Sequence, residues 1–279
     1  MVAAPAGPAA AVVDSAAAWL AELAGSPLPG RRLEEWRFTD LAALTSLPAQ
    51  LVPAEPWGAD LALPAGVQPL GATEAAVVID AVLAATGSSQ HWPVQLHRGA
   101  VARGGAGVLA LRVRGAVADP LVLARPLAAA GLEARQLVLL LEPGASLELL
   151  QVANAAASPG SGAGLSAVTA VQLGEGAQLK ASVLALGGSG ASLLAHWAAL
   201  QAPGSQLSLT SVISGWDLAR FEPRVVQSAG AAHTQMRALQ ACSGRQITDT
   251  HSFVRFEGPE GTLDQVHKAL ADGQGRSVF

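Results

Sequence analysis

The residues with the clearest chemical promise lie between Cys242 and Phe253. If residues 247–253 form a strand, Asp249 and His251 face the same side two residues apart. That spacing suits a pair of metal ligands, or a base held by an orienting carboxylate. A metal site usually takes three or more protein ligands, so a structural hydrogen bond between carboxylate and imidazole is the favoured reading. Cys242 offers a thiolate ligand or nucleophile, but a lone cysteine usually packs as a small apolar group. Only Arg237 and Arg245 lie near it in sequence to supply the positive charge a reactive thiol needs. His233 reads as a terminal or capped position, because a buried imidazole requires a partner. His267 and Lys268 read as a solvated pair in a helix-like or loop-like stretch, and His91, His97 and His196 lack neighbours at metal-ligand spacing.

Other catalytic signals are missing. The sequence has no Gly-x-Ser-x-Gly elbow, no His-Glu-x-x-His pair and no Cys-x-x-Cys. Its glycine-rich stretches, 157–164 and 187–190, are not followed by the Lys-Ser or Lys-Thr of a phosphate loop. The first reads instead as a mobile loop bulging from one repeat.

Composition narrows the class further. Across 279 residues, 51% are hydrophobic and 14% charged, which opposes disorder. With 17 basic and 21 acidic side chains the formal charge is −4, so no positive field recruits nucleic acid. A single cysteine excludes an internal disulfide and any multi-cysteine metal site built by this chain alone, and it fits a reducing, cytoplasmic-type compartment. The alanine-rich N-terminus lacks a basic leader and carries Asp14, so it reads as mature sequence. Residues 181–216 contain no Asp, Glu, Lys or Arg, but His196, the Ala202-Pro203-Gly204 turn and several serines argue against a membrane span.

The elements that would position these residues fall into two regions. Val12, Val13, Ala16, Trp19, Leu20 and Leu23 recur at helical spacing, and Gly25-Ser26-Pro27 ends the helix. A second helix is expected over Glu74–Thr86, with Val77, Val78, Ala81, Val82 and Ala85 on one face. Residues 1–95 therefore read as a mostly helical region with a Pro-rich connector. From about Val94 onward, short Val- and Leu-rich runs alternate with Gly, Pro and Ser, as strands between tight turns do. Four segments align on Gly144, Gly176, Gly204 and Gly230, spaced 32, 28 and 26 residues apart. Stacking them would place Leu139, Val171, Ala199 and Val225 in one column and Leu147, Leu179, Leu207 and His233 in another. The expected fold is an all-β core over 96–279, a parallel β-solenoid, with a β-sandwich as the alternative.

Several segments together resemble the SufB/SufD family of the SUF iron–sulfur cluster assembly system, its SufD members in particular. The resemblance rests on Glu35-Trp36-Arg37-Phe38-Thr39-Asp40-Leu41, on Glu222-Pro223-Arg224, on Arg245 through Asp249 to His251, and on Asp264 through Gln265 and Lys268 to Asp272. It covers about residue 30 to the end. It implies a right-handed parallel β-helix and a noncatalytic scaffold subunit that works with a SufB-like subunit and a SufC-like ABC ATPase, in the cytoplasm or a plastid stroma. The family-motif positions are Glu35, Trp36, Arg37, Thr39, Asp40, Asp249, His251, Gln265 and Lys268. A histidine usual in the family is replaced in the Phe253–Phe256 region, which weakens a metal role there. The family continues beyond the point where this sequence stops, so the β-helix is expected to be incomplete at its C-terminal end. An open last coil would leave strand edges exposed, which leaves a homodimer open.

No catalytic, cofactor-binding or metal-ligating residue is expected in this chain alone. One thiol cannot serve as the sole thiolate donor of a cluster, so an iron–sulfur cluster would be shared transiently with a partner. A carbohydrate-active β-solenoid would need clustered carboxylates, and a surface adhesion module would more often carry a secretory signal.

Overall fold

The computed structural model describes residues 8–58, 61–127, 130–155 and 162–279. Four helices come early: α1 (Pro8–Ala24), α2 (Ala42–Thr45), α3 (Ala72–Ala85) and α4 (Trp92–Ala102). A short strand β1 (Val67–Pro69) pairs antiparallel with β2 (Ala106–Val113). From β2 onward the chain winds between two sheets whose strands pair in parallel, giving a β-solenoid of about six turns. The first sheet carries β2, β4 (Gly131–Leu141), β6 (Ala163–Leu173), β8 (Ala191–Gln201), β10 (Leu218–Gln227), β12 (Ile247–Thr250), β13 (Phe253–Phe256) and β15 (Arg276–Val278). The second carries β3 (Leu121–Pro126), β5 (Ser146–Asn154), β7 (Gln178–Leu186), β9 (Gln206–Ser214), β11 (His233–Cys242) and β14 (Thr262–Ala271).

The two sheets differ because their outer faces differ. In the first sheet, odd-numbered residues such as Leu139, Val171, Ala199 and Val225 point into the coil, where Leu147 and Leu179 meet them from the second sheet. Its even-numbered residues are also covered: Ala134, Leu194 and Leu218 pack against Leu20, Trp36 and Leu96, while Val138, Ala170 and Ala198 pack against Val78 and Val82 of α3. Burial on both faces explains the near-continuous apolar runs of β6 and β8. The second sheet keeps one face in water, and β5 and β9 alternate accordingly.

The columns follow the repeat with one correction. Leu139, Val171, Ala199 and Val225 pair in register, as do Leu147, Leu179 and Leu207. Thr234, not His233, then continues the second column, and His233 pairs with Gln206 on the exposed side. The fourth turn is one residue longer, and Ala231 takes a positive φ of 51° there. A one-residue slip moves a strand residue to the opposite face.

Other local expectations change as well. The segment from Val94, read as strand, is α4, whose Gly99 packs so closely on the Leu23 carbonyl that a Cβ would stand 1.7 Å from it. On α3, Val77 is exposed, and the buried face is Ala75, Val78, Val82 and Leu83. The helix-like or loop-like reading of the His267 region gives way to strand β14. The expected loop at 157–164 lies largely outside the described residues, which resume at Gly162.

Candidate functional site

The Ala219-Arg220-Phe221-Glu222 run on β10 alternates, so Ala219 and Phe221 enter the coil while Arg220 and Glu222 point out beneath the helices. Both polar side chains are nonetheless buried, because the N-terminal segment closes over them. Arg220 donates from Nε to Glu222 Oε1 at 2.5 Å, and from Nη1 to Asp249 Oδ2 at 2.7 Å and to the Glu35 carbonyl at 2.8 Å. Its guanidinium stacks 3.9 Å from the Trp36 ring centroid. The Thr39 hydroxyl donates to the same Asp249 oxygen. Arg220 therefore ties three segments, far apart in sequence, into one buried centre.

The other oxygen of Glu222 faces two histidines. Oε2 lies 3.0 Å from His91 Nδ1 and 3.1 Å from His196 Nδ1, with the rings edge to face at 5.7 Å. Burial would raise the Glu222 carboxyl, but hydrogen bonds from His196 and His91 and the Arg220 charge outweigh it and hold the group well below its ordinary value. Burial lowers the His196 pKa against the pull of Glu222, so this ring is neutral at pH 7. His91 sits at the N-terminal edge of α4 and is the partly exposed member. Among the described residues, His91, His196 and Glu222 form a group whose potential ligand atoms all lie within 4.8 Å of one another.

The residues singled out from sequence divide into a connected set and a scattered set. Trp36, Thr39 and Asp249 meet at Arg220, and Glu35 joins through its backbone carbonyl while its side chain stays exposed. His251 Nε2 lies 2.9 Å from Asp249 Oδ1. The two are not on one unbroken strand, because β12 ends at Thr250 and β13 begins at Phe253. Pro223 stands opposite this gap and has no N–H to offer the ladder. Arg37 is exposed over Phe38, and Asp40 binds Arg31 at 2.8 Å and accepts from the Ala42 N–H at 2.9 Å. Gln265 donates to Ser252 Oγ at 2.9 Å, and Lys268 lies on the exposed face of β14.

Cys242 is buried at the end of β11, and burial pushes its thiol up, away from a reactive thiolate. His267 stacks on Phe279 at 4.2 Å, so it is not a freely solvated group. Sequence reasoning missed His91 and His196, which approach Glu222 only through long-range packing. The available signal was His196 itself, an imidazole in a stretch free of acidic and basic side chains.

Comparison with known proteins supplies the family. The model of the SUF system FeS cluster assembly, SufBD core domain, matches residues 127–279. The iron–sulfur cluster assembly SufBD family protein of Synechocystis sp. is 35% identical over 75 residues, 27% of this chain and 17% of that relative. The chain thus matches only a small part of the curated relative's length. No solved structure matches. The stacked coils and the family match across more than half of the sequence together place this chain in the SufB/SufD core-domain family of the SUF iron–sulfur cluster assembly system.

Proposed function

We propose that the chain is a SufD-type scaffold subunit of iron–sulfur cluster assembly, noncatalytic in itself, which acts with a SufB-like subunit and a SufC-like ATPase. The observation that carries this reading is the family match over residues 127–279, the span that builds most of the stacked coils. Two features support a scaffold. The buried Arg220 centre spends its charges on joining the N-terminal segment to the coils, and the single thiol is buried. A nascent cluster, the cargo of the system, would take its thiolates mainly from a partner, since one cysteine cannot supply a cluster's usual set. The working compartment is a reducing one, the cytosol or a plastid stroma.

Co-expression with the SufB-like and SufC-like proteins of the same organism, followed by affinity capture of this chain, tests the proposal. Retention of both partners through gel filtration is expected. Capture of neither partner, with the chain folded by circular dichroism, would contradict it.

A further inference from the structure

We propose that His91, His196 and Glu222 form a binding site for one divalent first-row transition ion, Fe(II) or Zn(II). Two imidazoles and one carboxylate are the donor set such ions take with open coordination positions. The spacing fits. Glu222 Oε2 is 3.0 and 3.1 Å from the two Nδ1 atoms, and bonds of about 2.0–2.2 Å to a tetrahedral ion would set neighbouring ligands about 3.3–3.6 Å apart. A slight opening of the two carboxylate–imidazole edges, with the imidazole–imidazole edge within 4.8 Å, therefore admits the ion. A ring that ligates through Nδ1 carries its one remaining proton on Nε2.

The surroundings supply what a metal ligand needs. Arg220 Nε holds Glu222 Oε1 at 2.5 Å, which fixes the carboxylate and leaves Oε2 to the histidines. Glu222 and Asp249 share the Arg220 guanidinium, so direct contact offers one cation to two buried carboxylates. Arg224 is the other basic group acting here; its Nε donates to the Thr86 carbonyl at 3.0 Å and its guanidinium stacks on Phe253 at 4.1 Å. Entry is through His91, whose side chain is 14% exposed while those of Glu222 and His196 are 2% and 0%.

This inference does not depend on the assembly role, since it concerns the purified chain and the metal alone. The full chain carrying Cys242→Ser, which removes the only thiolate, is titrated anaerobically with Zn(II) by calorimetry. It is also titrated with Co(II) by visible absorption, and X-ray absorption of the zinc form counts imidazole ligands. One equivalent of metal with two imidazoles is expected. His91→Ala, at the partly exposed rim, should weaken binding about 100-fold or more, beyond the 10–100-fold typical of an outer-shell contact, while the metal-free protein stays folded, its melt lowered only by the lost hydrogen bond to Glu222. His196→Gln serves as a second variant with the same expected loss. The proposal is overturned by binding below one equivalent, by an ion without two imidazoles, or by undiminished affinity in folded His91→Ala.

Discussion

Two buried arginine–glutamate pairs lie on opposite faces of the same sheet. Arg135 and Glu133 on β4 point into the coil, in register with Ala167 and Leu165, whereas Arg220 and Glu222 on β10 point out beneath the helices. Both arginines lie near a tryptophan from the N-terminal region, Trp57 at 6.0 Å and Trp36 at 3.9 Å. Their remaining partners differ in kind. Arg135 bonds Glu133 and the carbonyls of Arg125 and Pro126, all within ten residues, and so seals the inside of one coil. Arg220 bonds Glu35, Glu222 and Asp249, and the free face of Glu222 turns to two histidines. The inner pair is a local closure; the outer pair is a joint between segments, with donor atoms left over for a ligand.

The largest effect should come from removing the arginines. Arg220→Leu strands two buried carboxylates and should cost about 3–5 kcal/mol in urea unfolding. Arg135→Leu should cost a similar amount. Limited proteolysis separates them, since only Arg220→Leu should release the N-terminal helices while the coils stay protected. Equal protection of the helices in both variants would erase the distinction.

Acid should act next. Burial lowers the His97 pKa from 6.5 to about 4 and also lowers that of His196, so the unfolded chain binds these protons more readily than the folded one. Stability contributed by these neutral rings is full above about pH 6.5 and falls as pH drops from there toward 4, by on the order of 3 kcal/mol for His97. Glu222, whose folded value is depressed, adds a further loss below its ordinary range near 4.5. Denaturation midpoints measured between pH 8 and pH 4 should follow that order, and a flat profile across this range would contradict the buried neutral imidazoles.

Smaller effects sharpen the comparison. Thr39→Val removes a hydrogen bond to the Asp249 carboxylate and should cost about 2 kcal/mol by chemical denaturation. Lys180→Ala breaks an ion pair with Glu148 on the solvated face of the second sheet and should change stability by no more than about 0.5 kcal/mol.

Much of the fold was written locally. The glycine turns and the aliphatic columns at Leu139, Val171, Ala199 and Val225 depend on short-range pattern, and the register confirms them. The second column failed at His233 because one extra turn residue, accommodated at Ala231, is invisible to a count anchored on Gly230. The centre was legible only in pieces. Trp36, Thr39, Asp249 and His251 were singled out, but nothing in their spacing shows that Arg220 joins them. His91 and His196 meet because α4 packs across β4, β6 and β8 and its N-cap His91 reaches Glu222 on β10, a packing of helix on sheet that no sequence period encodes.

An anomalous difference map from crystals of the chain soaked in Zn(II), recorded at the zinc edge, tests the account most directly. The account predicts one strong peak within bonding distance, about 2.0–2.2 Å, of His91, His196 and Glu222, and none at Glu133 and Arg135. No peak at the outer site, or density of equal strength at both pairs, would contradict it.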